Sequence, residues 1–234
     1  MRYIKEIIKA IRDRKRLLPV KELMGQYQRW KYYLKEKDAL KNAIPWITFK
    51  AIDYLNANLS REMKVFEFGG GGSTLFFNSR VGELTTVEHD KNWFEALHEE
   101  MEHKAKARWQ GLFIEPQDKS SPEDLDPANP DDYFSEDQAF RSKTFQTYAC
   151  AIEAYPDQHF DLVLIDGRAR PSCLKHSLAK VKMGGMLVLD NTDREYYLRR
   201  FNGKMNNYQL ISDHFGPTPY ISWFTQTNVW RRII

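Results

Sequence analysis

Only two cysteines, Cys150 and Cys173, occur in 234 residues. With no short Cys or His spacing beside them, they encode neither a zinc cluster nor a disulfide framework. No run approaches the roughly 20 apolar residues that a bilayer-crossing helix needs. The opening MRYIKEIIKAIRDRKR is basic like the first part of a secretion signal, but Lys5, Glu6, Lys9, Arg12 and Asp13 interrupt its apolar residues. These absences lead to the expectation of a cytoplasmic protein in a reducing compartment. Internal repeats and low-complexity tracts are missing as well, which excludes a solenoid or a disordered tail.

What is present is ordinary globular chemistry: 42% hydrophobic and 29% charged residues, enough to bury a full core. The net charge of +3 is unevenly spread, because the first 41 residues carry thirteen Lys or Arg against five Asp or Glu. Such a basic arm suits contact with an anionic membrane surface or nucleic acid, or is simply a solvated helix face.

Along the chain, Ile4, Ile7, Ile8 and Ile11 follow the spacing of an amphipathic helix that Pro19 ends or bends. A second helix is expected over about 21–42. After Pro45, Thr48 can cap a third that runs to about Asn58. Residues 1–43 thus read as an N-terminal helical extension and 44–234 as the main domain. From there short β-branched runs alternate with helical stretches, the signature of βαβ units and a parallel sheet. Strands are expected at 64–68, 84–88, 111–115, 160–165 and 186–189, with helices at about 73–80, 91–106, 143–154, 170–182 and 193–202. Gly184 and Gly185 are read as the stop after residue 182. Residues 116–137 hold four prolines and many acids, the composition of a lid or surface loop. The last two strands, 208–212 and 221–230, are joined by a turn too short for a crossover and must pair antiparallel.

In an open α/β sheet the ligand lies beyond the carboxyl ends of the strands. After the first strand comes VFEFGGGGST. Its glycines allow a tight turn and close backbone approach to a ligand, and Glu88 ends the next strand about 20 residues later, where a ribose is held. A dinucleotide motif is disfavoured, because the third glycine of G-x-G-x-x-G would fall on Thr74 or Leu75.

What remains is acid-x-Gly-x-Gly from Glu67, Gly69 and Gly71, and here the chain resembles the class I S-adenosylmethionine-dependent methyltransferases. The resemblance covers about 44–230. It implies a Rossmann-like α/β fold with a seven-stranded, mostly parallel sheet, an antiparallel last strand and helices on both faces. By that resemblance Glu67, Gly69, Gly70, Gly71 and Ser73 hold the methionine end of S-adenosyl-L-methionine and Glu88 the ribose. His89 shapes the adenosine pocket or faces solvent, and Gln117 or Asp118 sits near the adenine. Ser73 departs from the pattern, since many relatives have glycine there. The blocks PWITFKAIDYL, TTVEHDKNWF and DLVLIDGRAR also look like bacterial methyltransferase-like proteins grouped with surface-polysaccharide genes.

Asp166-Gly167-Arg168 ends the fourth strand and Asp190-Asn191 the fifth. The set is similar to the catechol-type O-methyltransferases, whose Asp and Asp-Asn ligands hold Mg²⁺. Such a cation at Asp166, Asp190 and Asn191 would lower the pKa of a substrate hydroxyl. The alternative is that Asp166 orients substrate or cofactor, Asp190 caps a helix and Asn191 forms a turn. Asp166 and His214 are the candidate bases, while Arg168 and Arg170 can clamp an anionic substrate or pair with the acidic loop. Trp46, Tyr148, Tyr196 and Tyr220 line the acceptor pocket or belong to the core. O-methylation of a small-molecule or saccharide hydroxyl is the expectation. An NAD(P)-dependent oxidoreductase and a silent adaptor on the same fold are the alternatives. A nucleic-acid acceptor is not expected, because no Asn-Pro-Pro-Tyr-type motif follows the fourth strand and the catalytic half is not basic.

Overall fold

The structure, a computed structural model, describes residues 2–14, 19–104, 106–119 and 125–234. Residues 15–18, just before Pro19, and residues 120–124 of the 116–137 loop lie outside the described residues. Seven strands form the central sheet: β1 (Lys64–Phe68), β2 (Glu83–Glu88), β3 (Arg108–Phe113), β6 (Phe160–Ile165), β7 (Val181–Asp190), β8 (Tyr208–Gly216) and β9 (Thr225–Arg232). Their order is β3-β2-β1-β6-β7-β9-β8. All pairings from β3 to β7 are parallel, and β9 runs antiparallel to both β7 and β8. The expected seven-stranded sheet with one opposed strand is therefore present.

The strands alternate their side chains between two cores, as a pleated sheet covered on both faces requires. Val65, Leu162, Leu164 and Val188 face one core with Phe49, Ile52, Leu55 and Phe77. Phe66, Phe68, Val163, Ile165, Leu187 and Leu189 face the other with Tyr148, Cys173 and Leu174. The first layer is built by α5 (Phe49–Asn58) and α6 (Gly72–Asn78), with α7 (Lys91–Lys104) joining through Leu97 and Met101 against Leu75. The second is built by α8 (Gln146–Cys150) and α9 (Arg170–Ser177).

The N-terminal segment forms α1 (Arg2–Arg14), α2 (Val20–Gly25), α3 (Tyr27–Lys35) and α4 (Ala39–Asn42). Its expected second helix is thus three pieces. Gln26 closes α2, and α4 has its own cap, Asp38, which accepts from Lys41 N at 2.9 Å. Tyr3, Ile7, Leu23 and Trp30 join the first core rather than forming one of their own. Other departures are local. Residues 143–144 form a strand, β5, paired with β4 (Gln117–Asp118), which anchors the acidic loop before α8 begins. The helix expected at 193–202 is two 3₁₀ turns, Glu195–Tyr197 and Arg199–Phe201. Gly184 and Gly185 sit within the irregular start of β7, because α9 stops at Ser177.

Candidate active site

The carboxyl ends of β1, β2, β6 and β7 open on a cavity of about 770 Å³. Gly69 to Ser73, Glu88, His89, Asp166, Arg168, Asp190 and Asn191 line it, so most of the sequence-chosen residues meet at one place. The glycine turn is required by packing. Gly69 has φ +91°, and a Cβ there would stand 2.9 Å from Gly167 Cα. A Cβ on Gly72 would meet the carbonyl oxygen of Ile44 at 2.3 Å. The same Cβ would stand 2.6 Å from the carbonyl oxygen of Ala39, so the end of the extension presses on the first turn of α6, and Ala39 joins Ile44 and Trp46 of the main domain in the cavity wall.

Beneath this turn Glu67 is fully buried. Its Oε1 accepts from the hydroxyls of Thr74 and, at 2.7 Å, of Thr86, whereas Oε2 has no partner. Burial pushes its carboxyl up to about 7, against the hydroxyls of Thr74, Ser73 and Thr86 that favour the charged form. Glu88 is set differently. Gly70 N donates to Oε2 at 2.9 Å, and His89 N and Asp90 N donate to Oε1 at 2.7 and 2.8 Å. Burial alone would raise its pKa, but His89 and these amides outweigh it and hold the carboxyl below its usual range. Glu88 thus stays an anion at the cavity wall, with one oxygen accepting only a single protein hydrogen bond. His89 Nδ1 approaches Glu88 Oε1 at 2.7 Å but off the line of a hydrogen bond.

At the β6–β7 end the decisive side chain is Arg170. Its guanidinium donates to Asp166 Oδ1 at 2.9 Å, to the Asp166 carbonyl at 2.9 Å and to the Asp190 carbonyl at 2.7 Å, and lies 3.6 Å from Asp190 Oδ2. Burial pushes both carboxyls up, Asp190 to about 6, and Arg170 opposes it. Asn191, at φ +56°, donates its amide to Asp190 Oδ2 at 2.7 Å and to Thr225 Oγ1 at 2.9 Å. The donor set expected for Mg²⁺ is therefore engaged by an internal cation, and a metal at Asp166, Asp190 and Asn191 would have to displace Arg170. These residues do not fit a resident cation. Asp166 keeps 17% of its side chain open.

Four expected residues lie elsewhere. Glu67, expected at the methionine end of the cofactor, is buried beneath the glycine turn and outside the cavity lining, because its side chain points into the sheet–helix packing toward Thr74 and Thr86. His214 is within β8, paired with Thr227 and packed 5.9 Å from the Tyr54 ring on α5, away from the cavity lining. The sequence placed it in a loop because β8 was expected to end at Ser212, and the longer strand turns it onto the helical layer. Burial lowers its pKa to about 4. Gln117 and Asp118 form β4 outside the cavity lining, and Asp118 pairs with Lys143 at 2.7 Å. The β4–β5 pairing removes them from the adenine position expected of them.

The acidic loop is stapled down: Asp137 pairs with Arg168 at 2.8 Å, Asp126 with Arg200 at 3.2 Å and Asp131 with Lys175, and Tyr196 donates to Glu136 at 2.9 Å. A second cavity of about 430 Å³ lies under it, sharing Gly167, Arg168, Arg170, Asn191 and Arg194 with the first. Of the aromatics, Trp46 lines the large cavity and Tyr196 the small one, while Tyr148 is buried beside Gly167 and Tyr220 packs on Trp46. The sequence reading missed Trp93 and Arg194. Trp93 Nε1 donates to the Gly70 carbonyl at 2.7 Å, laying the indole on the glycine turn. An aromatic in the first turn of the helix after Glu88 was the available signal.

No protein-family model matches the chain, and no curated protein matches its sequence. Solved structures do. An O-methyltransferase from Bacillus cereus, solved with SAH, is 13% identical, covers 87% of this chain and 90% of its own, and has a TM-score of 0.53. A Klebsiella pneumoniae protein provisionally titled an O-methyltransferase is 14% identical over 88% and 90%, with a TM-score of 0.55. A Streptococcus mutans protein provisionally titled a methyltransferase, also with SAH, is 9% identical over 77% and 94%, at 0.52. The chain has the class I methyltransferase fold. Within that fold the glycine turn, Glu67 and Glu88 stand at the expected strand ends, and Arg170 occupies the edge expected to hold a metal.

Proposed function

We propose that the protein is an S-adenosylmethionine-dependent methyltransferase acting on a hydroxyl of a small polar molecule or saccharide. The observation that carries this reading is an anionic Glu88, held by three backbone amides beside the glycine turn at the wall of one cavity. A cationic nucleoside complements it. Ser73 would hold its amino-acid end, Glu88 its ribose and Trp93 the turn between them, while the buried Glu67 braces that turn from beneath through Thr74.

Bound cofactor supplies an electrophilic methyl on a sulfonium. The chain's own part is to position the acceptor and remove its proton. Asp166 is the group for the proton, because it opens on the cavity and burial raises its carboxyl above the usual range, which strengthens its carboxylate as a base. Arg170 limits that rise and stabilises the carboxylate once formed. Arg168, Arg194 and Glu136 give the adjoining small cavity a polar wall, which favours a hydroxyl-rich or anionic acceptor over an apolar one. Two roles expected elsewhere fall away with the geometry: His214 as base and Mg²⁺ as activator.

Calorimetric titration with S-adenosylhomocysteine and with NAD tests the proposal. Binding of the first only, weakened at least tenfold in Glu88→Ala, is expected, equivalent to about 1.4 kcal/mol. Binding of NAD alone would transfer the cavity to redox chemistry.

A further inference from the structure

α1 buries one apolar face and leaves a second one uncovered. Tyr3, Ile7 and Ala10 enter the core at 1%, 4% and 5% exposure, whereas Ile4, Ile8 and Ile11 are 52%, 60% and 45% exposed. The exposed three follow i, i+4, i+7 and so form a continuous stripe along the helix. Lys5, Lys9 and Arg12, each one position further on, form a parallel exposed stripe of positive charge. Around the helix the order is core face, isoleucine stripe, basic stripe. A soluble helix needs only the first and a polar remainder. The added apolar stripe bordered by cations is the arrangement of a helix lying in a membrane interface.

The neighbouring surface extends it. Val20 and Met24 on α2 are 40% and 47% exposed. Glu6 accepts from Phe224 N at 3.3 Å, and the Tyr3 ring lies 4.9 Å from that of Phe224. The preceding residue, Trp223, is 55% exposed and lines the large cavity. Exposed tryptophan is the side chain most suited to the headgroup boundary. α1 therefore adjoins the cavity's rim.

We propose that α1 docks the protein on an anionic membrane, with Ile4, Ile8 and Ile11 at the acyl boundary and Lys5, Lys9 and Arg12 on the headgroups. The charge selects this occupant, since basic residues close to a negative leaflet are attracted to it. A second copy of the chain presents the same positive charge and lacks that complementarity. The inference does not rest on methyl transfer, because docking is read on the cofactor-free chain.

The test is flotation of the full chain with phosphatidylcholine vesicles that contain or lack phosphatidylglycerol. Partition onto the anionic vesicles only is expected, weakening with added salt. It should fall at least tenfold in the double variant Ile8→Gln, Ile11→Gln, whose sites are exposed and whose folding and S-adenosylhomocysteine binding should match the parent. Equal partition of variant and parent, or no partition onto anionic vesicles, would overturn the proposal. So would a dimer in size-exclusion chromatography that the same variant dissociates, which would give the face to a second copy.

Discussion

Glu88, at the β2 end of the cavity, is held by three backbone amides from residues 70, 89 and 90. Asp166 and Asp190, at the β6 and β7 ends, are held by one guanidinium and by Thr227, 37 residues beyond Asp190 at 2.5 Å. The first arrangement is assembled by a turn and a helix start, so its donors are backbone groups and it depends on the side chains around it only through the shape of the turn. The second is a side-chain network in which Arg170 is the one cation, with Thr227 and Asn191 bonding Asp190 besides. A half-site built from backbone is preorganised for one ligand chemistry, while one built from side chains can be altered by single substitutions.

Removing the guanidinium is the harshest way to break that contrast. Arg170→Met leaves two buried carboxylates without a cation and should cost about 3–5 kcal/mol of unfolding free energy. Neutralising both acids in the same chain, with Asp166→Asn and Asp190→Asn, should recover much of it in chemical denaturation. If the single variant is as stable as the parent, Arg170 is not the organiser of the β6–β7 edge.

Glu67 sharpens the comparison through pH. Its folded pKa, about 7, lies above the ordinary 4.5, so the folded chain retains a proton that the unfolded chain has released between those values. Stability present below about pH 4.5 is therefore lost as pH rises to 7. Glu67→Gln abolishes that loss, and the cofactor-free variant should gain on the parent by on the order of 3 kcal/mol between pH 4.5 and 8. A constant difference across that range would mean that Glu67 titrates normally.

Gly72→Ala tests whether the extension is pressed on the glycine turn. Its new Cβ would meet backbone oxygens of Ile44 and Ala39, so a loss of about 1–3 kcal/mol in thermal unfolding is expected. The smallest effect belongs to His214→Gln. Lying away from the cavity, it should leave S-adenosylhomocysteine affinity unchanged in calorimetry. Because burial lowers the His214 pKa, the unfolded chain takes up the proton first as pH falls below about 6.5, and the variant should remove part of the acid instability. A tenfold loss of affinity would return His214 to the site.

The sheet was legible because its signals are local. Apolar runs such as Leu162–Ile165 mark central strands, and the brevity of the turn before the last strand forces an antiparallel partner. The glycine turn with Glu67 and Glu88 was legible for the same reason. The misplacements have one cause, which is pairing between distant segments. Lys143 and Thr144 became a strand because Gln117 and Asp118 offered a partner, and His214 followed β8 because β9 extends it to Gly216. Arg170 was visible as a charge four residues after Asp166, yet nothing local showed that it would face inward to both acids.

By itself the sequence determined the alternation of strands and helices, the single opposed strand and the acid-glycine turn, because hydrophobic period and backbone freedom are properties of neighbouring residues. Only the tertiary structure decided that Arg170 stands between Asp166 and Asp190, that the extension walls the cavity at Ala39, and that one isoleucine stripe of α1 stays in water. Each of those depends on which distant surface arrives first to satisfy a charge or cover an apolar face, and no local pattern carries that information.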